Sequence, residues 1–246
     1  MTLRAGTAHL WWLETDELSA ADLARWQASL DPEERARAAR FVQPADTRQF
    51  IAAHALLRGM LCHFAGLAAP LWRFVTESHG KPALHPAHGM SDLAFNISHT
   101  RGAVACGLTL RHAIGVDIED RFRPGSHVHL ADAYFAPAEV ATLRAAPAAE
   151  QEDLFFVFWT LKESYIKAVG KGLSLPLDQF AFSLSPPRIA FDTGIVDDPG
   201  DWQFATTLAS HRHRLSVAVR HRDAPPVMLD WRRLHAGDIG RLMETG

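Results

Sequence analysis

Two long stretches of helical periodicity, each followed by strand-like segments, constrain this 246-residue chain more than any other feature. From Thr47 to Phe64, apolar residues recur at Phe50, Leu57, Leu61 and Phe64, with Ala53, Leu56 and Met60 beside them and Gly66 as the stop. A second helix runs from about Glu150 to Val169, with Leu154, Phe158, Leu161, Tyr165 and Ala168 as its apolar stripe. Strand patterns at Leu71–Thr76, Leu93–Ile97 and Ala103–Leu110 follow the first helix; Phe180–Leu184, Ile189–Phe191 and Leu215–Arg220 follow the second. Helix, hairpin, strand thus occurs twice, which predicts two α+β lobes, residues 1–112 and 113–246, with the border near Arg111–Gly115. Ahead of them, Ser19 with Asp22 forms a capping box. Asp31, Pro32 and Glu34 open a helix reaching Phe41.

A chain of this length buries roughly 70 to 75% of its unfolded surface, so its core needs no staple. Cys62 and Cys106 stand apart without metal-finger spacing, which predicts reduced thiols in a cytoplasmic protein. Lys and Arg number 25 against 28 Asp and Glu, and the formal charge of −3 argues against a general nucleic-acid binder or a polybasic membrane anchor. Acidic residues interrupt the apolar N-terminal stretch, and no run of 18 apolar residues occurs, so neither a signal peptide nor a membrane span is expected.

Chemistry-bearing residues fall in three groups. In Ala113-Ile-Gly-Val-Asp-Ile-Glu-Asp120, alternation puts Ile114, Val116 and Ile118 on one face and Gly115, Asp117 and Glu119 on the other. Two carboxylates on one face suit a hard cation such as Mg²⁺, and equally the wet face of an edge strand. On the second helix, Glu163 and Lys167 stand one turn apart, as in an ordinary surface ion pair. The exit Gly170-Lys171-Gly172 allows close approach to a ligand or simply caps the helix. Basic groups are scattered at Arg37, Arg40, Arg48, Lys81 and Ser98-His99, with Pro82 fixing the turn that aims Lys81. The fourteen histidines, including His127, His129, His211 and His213, lack ligand-spaced partners and read as surface or packing residues.

Taken together and in order, Gly-Lys-Pro, Phe-Asn-Ile-Ser-His, Gly-Val-Asp-Ile-Glu and Phe-Trp-Thr-Leu-Lys-Glu-Ser-Tyr-Ile-Lys-Ala-x-Gly-Lys-Gly-Leu make the chain resemble the 4′-phosphopantetheinyl transferases. It is similar to the larger, surfactin-synthetase-activating type, in which two lobes of one chain replace the two subunits of the small holo-carrier-protein synthases. Phe135 with Glu139 also matches the family's Phe-x-x-x-Glu segment. The resemblance spans about Asp31 to Phe182 and continues into Ser174-Leu-Pro-Leu-Asp. It implies a pseudo-dimeric fold, each lobe carrying a small, mostly antiparallel sheet on a long helix.

The resemblance further implies transfer of 4′-phosphopantetheine from coenzyme A to a serine of an acyl or peptidyl carrier protein, releasing adenosine 3′,5′-bisphosphate. Asp117, Glu119 and Glu163 would hold Mg²⁺, or Mn²⁺ in its place, on the pyrophosphate, with Lys167 on the same phosphates. Lys81 and Pro82 would flank the adenine, with Ser98, His99, Arg37 and Arg48 on the 3′-phosphate and Lys171 among the coenzyme contacts. Glu34 stands where well-known members carry a lysine. Glu163 is expected as general base, directly or through a water on the metal, and Lys167 as the charge-stabilising or proton-donating partner. The carrier is expected to be acidic and to dock transiently on Arg121-Phe122-Arg123 and the helix from about His129 to Phe135, with one chain acting as a monomer. The same carboxylates leave two other readings: a Mg²⁺-dependent nucleotide pyrophosphate hydrolase, or a non-catalytic coenzyme A binding module.

Overall fold

The computed structural model describes residues 3–76, 80–170, 172, 175–222 and 224–244. Strand β1 (Thr7–Glu14) leads into helices α1 (Ala20–Ser29), α2 (Pro32–Ala38) and α3 (Pro44–Ala65). A short ribbon β2 (Phe74–Thr76) and β3 (Pro82–Leu84) precedes β4 (Leu93–Thr100), β5 (Ala103–Leu110) and β6 (Ala113–Asp120). Next come α4 (Ala131–Tyr134), α5 (Pro137–Ala145) and α6 (Ala148–Val169). The chain then forms β7 (Phe180–Leu184), β8 (Pro187–Phe191), β9 (Trp202–Leu208), β10 (His213–Arg220), β11 (Met228–Arg233) and α7 (Ala236–Glu244).

The two sheets, in orders β11-β1-β5-β4 and β6-β10-β9, pack face to face. Period-2 alternation builds each layer. On β5, Val104, Cys106 and Leu108 meet α3, while Ala103 and Ala105 turn to the second sheet. On β6, Ile114, Val116 and Ile118 enter the seam between the sheets, which leaves Gly115, Asp117 and Glu119 facing α6, as alternation predicts. Outside the first sheet lies α3; outside the second lies α6, whose Phe158, Leu161 and Tyr165 share a core with Phe180, Trp202 and Phe204. Each such fully buried large side chain contributes about 1.5–3 kcal/mol. Both long helices end on a left-handed glycine, Gly66 at φ 70° and Gly170 at φ 77°. Both capping boxes form, at Ser19/Asp22 and Asp31/Glu34.

The joint between the sheets bears directly on function. Among the described residues, backbone ladders bind β6 only to β10. Towards β4, side chains replace backbone: the N–H groups of Val116, Ile118 and Asp120 donate to Asn96 Oδ1 at 2.8 Å, Ser98 Oγ at 3.3 Å and Thr100 Oγ1 at 3.2 Å. Three alternate residues of one strand thus satisfy three otherwise orphaned donors of the other.

Two expected element bounds need correction. The stretch Leu71–Thr76 is strand only from Phe74, because Pro70 favours a one-turn 3₁₀ helix at Ala69–Leu71. Helix α2 stops at Ala38 rather than reaching Phe41. Strand β11 returns to pair in parallel with β1, and α7 packs Ile239 and Leu242 into the core beneath α3. Residues 228–244 therefore pack with the sheet and core of the first lobe. The Lys167 ammonium contacts Asp117 across the helix–strand gap.

Candidate active site

A cleft forms where β6 and α6 lie against each other, and Gly115 is what lets them. A Cβ there would sit 2.1 Å from the Ser164 carbonyl oxygen and 2.4 Å from the Ala168 nitrogen, so only glycine allows the helix backbone this close. Asp117, two residues on, then meets the helix side chain at Lys167, whose Nζ lies 2.5 Å from Asp117 Oδ1 and 2.9 Å from Ser98 Oγ. Ser98 donates to Asp117 Oδ1 at 3.1 Å, and Thr100 donates to Glu119 Oε2 at 3.0 Å. Arg123 reaches both Glu119 oxygens, at 3.3 and 3.2 Å. Helix α6 is itself held by a fully buried ion pair, Lys162 to Glu139 at 2.7 Å, with Lys162 also donating to the carbonyls of Leu177 and Phe180.

The electrostatics point to a cation. Burial and the neighbouring Asp117 push the Glu119 carboxyl up to about 7, and the same two causes raise Glu163. Asp117 Oδ2 is buried without a hydrogen-bond partner. A buried, unpartnered carboxylate oxygen beside two acids that it destabilises fits an oxygen-liganded divalent ion. Among the described residues no three His, Cys, Asp or Glu side chains form a ready-made ligand cage. Three like charges repel, and Lys167 engages one Asp117 oxygen, so the expected convergence extends to mutual electrostatic influence rather than to a closed cluster.

On the first-lobe side, a cavity of about 560 Å³ is lined by Arg37, Arg40, Phe50, His54, Phe74 and Pro82, among others. A second, of about 240 Å³, lies between Lys81, Pro82 and Asn96 and the helix residues Glu163 and Lys167. Exposed Arg37 lies over the Phe50 ring at 5.5 Å. His99 opens to solvent beside Lys167 and Arg37; partial desolvation, then those positive charges, hold its imidazole below the usual range. Lys81 donates to the Lys167 carbonyl at 2.9 Å, capping the last turn of α6 from the other lobe. Two residues expected on the 3′-phosphate have protein partners of their own. Arg48 donates to the carbonyls of Thr15 and Leu18 at 3.3 and 3.2 Å, and buried Ser98 spends its single donor on Asp117.

Glu34 lines the larger first-lobe cavity but is already neutralised from within the protein. It is buried, paired with the fully buried Arg58 and with His54 Nδ1 at 2.6 Å. Burial alone would raise its carboxyl, but His54 and Arg58 outweigh that and hold it at about 2. At the other rim Phe122 is exposed, Arg121 pairs with Asp153 at 3.0 Å and His127 with Glu152 at 2.6 Å. Lys171, Ser174 and the His79 end of the Gly-Lys-Pro turn lie outside the described residues. Sequence reasoning missed Asn96 and Thr100 as site neighbours, for which their alternation with Ser98 on one strand is the signal, and it assigned Arg123 to carrier docking rather than to Glu119.

Carboxylates of β6 thus face a glutamate and a lysine of α6, with Lys81 and Arg37 on the first-lobe side, a set suited to phosphoryl-group chemistry. Residues 113–218 match the 4′-phosphopantetheinyl transferase superfamily, and residues 17–107 match the 4′-phosphopantetheinyl transferase N-terminal region. The 4′-phosphopantetheinyl transferase HetI of Nostoc sp. is 36% identical over 193 residues, 77% of this chain and 79% of that protein. The 4′-phosphopantetheinyl transferase Sfp of Bacillus subtilis is 31% identical over 209 residues, 85% of this chain and 90% of that protein. The human L-aminoadipate-semialdehyde dehydrogenase-phosphopantetheinyl transferase is 28% identical over 221 residues, 80% of this chain and 71% of that protein. The chain belongs to the 4′-phosphopantetheinyl transferase superfamily. It is a transferase whose co-substrate is coenzyme A and whose acceptor is a carrier protein; of the three readings the residues left open, this is the one its relatives carry. Among the described residues no helix is long and apolar enough to cross a membrane.

Proposed function

We propose that the transfer occurs between the Asp117–Glu119 face of β6 and the Glu163–Lys167 face of α6. The observation that carries this reading is the buried, unpartnered Asp117 Oδ2 beside Glu119 and Glu163, both raised by burial and by Asp117 itself. A divalent ion held by Asp117, Glu119 and Glu163, Mg²⁺ or Mn²⁺, would supply charge neutralisation on the coenzyme A pyrophosphate. The carrier serine oxygen forms a bond to the β-phosphorus as the bond from that phosphorus to the bridging oxygen breaks. Adenosine 3′,5′-bisphosphate leaves.

Glu163, its carboxyl raised towards neutrality, accepts the serine proton; Lys167 donates a hydrogen bond to the developing charge on the bridging oxygen. Arg37, lining the larger cavity, and exposed His99, within electrostatic reach of it, suit the 3′-phosphate, and Lys81 with Pro82 suits the adenine edge. Exposed Phe122, beside Arg121, would receive an acidic carrier in a transient complex with one copy of this chain.

The test is the intact mass of a carrier protein mixed with coenzyme A, Mg²⁺ and enzyme. One added phosphopantetheine is expected; coenzyme A turnover with the carrier unmodified would refute the transfer. Arg121→Glu should raise the Michaelis constant for carrier with little change in turnover number, and an unchanged constant would leave residues 121–123 as a connecting loop.

A further inference from the structure

The joint between the sheets does more than hold two lobes together. Asn96, Ser98 and Thr100 all accept from β6 backbone, but the two hydroxyls differ from the amide, because each also donates to a carboxylate of the cleft. Ser98 is buried, and its one proton goes to Asp117 Oδ1, while its oxygen accepts from Ile118 N–H and Lys167 Nζ. That is the full capacity of a hydroxyl. Thr100 is likewise bound to Asp120 N–H and Glu119 Oε2.

The consequence for the two acids is orientation. With Oδ1 of Asp117 held by Ser98 and Lys167, the unpartnered Oδ2 is left to receive a cation. With Oε2 of Glu119 held by Thr100, its carboxylate has one rotation fixed against Arg123, which binds both its oxygens. Partners behind ligating carboxylates of this sort commonly govern metal affinity by ten- to a hundredfold.

We propose that Ser98 and Thr100 are positioning residues that orient Asp117 and Glu119 for a divalent ion, so that the first lobe, through β4, sets the ion affinity of a site built on the second. This rests on the reading of Asp117 and Glu119 as ion ligands. It moves Ser98 from the phosphate-binding group to the carboxylate-orienting one.

The experiment is Mn²⁺ binding to the full chain with coenzyme A present, followed by the electron paramagnetic resonance signal of free Mn²⁺. It compares the parent, Thr100→Val, Thr100→Ser and Ser98→Ala. Thr100→Val keeps shape and loses the hydroxyl; about tenfold weaker Mn²⁺ binding is expected, restored by Thr100→Ser. Ser98→Ala should weaken Mn²⁺ similarly while the ratio of affinities for coenzyme A and 3′-dephospho-coenzyme A, measured without metal, stays at the parent value. Metal-free coenzyme A affinity equal to the parent's shows that the variants remain folded around the cleft. The inference is overturned by Thr100→Val binding Mn²⁺ within twofold of the parent, by Thr100→Ser matching Thr100→Val, or by Ser98→Ala narrowing the coenzyme A to dephospho-coenzyme A ratio. A parent chain that binds no Mn²⁺ would overturn the ligand reading beneath it as well.

Discussion

Two desolvated glutamates, Glu34 buried in the first lobe and Glu119 half-buried on β6, answer the loss of water in opposite ways. Glu34 sits against Arg58 and His54 and stays charged down to about pH 2; Glu119 sits against Asp117 and titrates near 7. Both lose hydration. The first has its counter-charges built in, because α3 places Arg58 one turn beyond His54 on the face that meets α2. The second meets Arg123 but also a like charge, and Asp117 offers an oxygen with no partner. A closed polar cluster is structure; an acid cluster left short of positive charge is a site.

The comparison breaks most visibly at α6. Glu163→Gln should cut the rate of carrier modification by about 10²–10⁴, with coenzyme A affinity nearly retained, since it removes the proton acceptor and one ligand. Single-turnover mass spectrometry checks this, and parent-like turnover would remove Glu163 from the chemistry. In the first lobe, Arg58→Met strands Glu34 without its main cation and should cost about 3–5 kcal/mol in urea unfolding. A loss below about 1 kcal/mol would mean that His54 alone suffices.

Acid and neutral pH sharpen the contrast. Glu34, lowered when folded, contributes stability that is present above pH 4.5 and lost as pH falls towards 2. Glu119, raised when folded, takes stability away as pH rises from 4.5 through 7. Glu119→Gln should therefore stabilise the protein above pH 7, by on the order of 3 kcal/mol, and flatten the fall between those values. Unfolding midpoints across pH decide it, and a steeper fall in the variant would reverse the assignment. By contrast, Arg111→Ala removes an ion pair to Asp92 whose partners are 72% and 60% exposed, and should change stability by less than about 0.5 kcal/mol.

How much of this was legible follows from range. Helices α3 and α6, strands β4 to β6 and the Asp117–Glu119 face are encoded by local periodicity and turn chemistry, and so were Glu163 and Lys167 one turn apart. Strands β9 and β11 and helix α7 escaped: β11 is fixed by pairing with β1, more than 200 residues away in the chain, which no local pattern encodes. Strand β4 runs on to Thr100, beyond the expected end at Ile97, and that its Asn96, Ser98 and Thr100 meet the free edge of β6 depends on how two sheets stack. Gly115 read as part of an alternation, whereas its reason is the α6 backbone 2.1 Å from where a Cβ would be. For Arg48 and Ser98 the residue type was legible and the partners were not, because the Thr15 and Leu18 carbonyls and the Asp117 carboxylate come from segments distant in the chain.

The central claim is that acids from β6 and α6 serve one divalent ion, and crystals grown with coenzyme A and Mn²⁺ test it most directly through anomalous scattering. The account predicts a single strong peak within coordination distance of Asp117 Oδ2 and of the Glu119 and Glu163 carboxylates. A peak bound only to solvent-exposed acids elsewhere, with Lys167 still seated on Asp117 and Glu163 turned away, would contradict it.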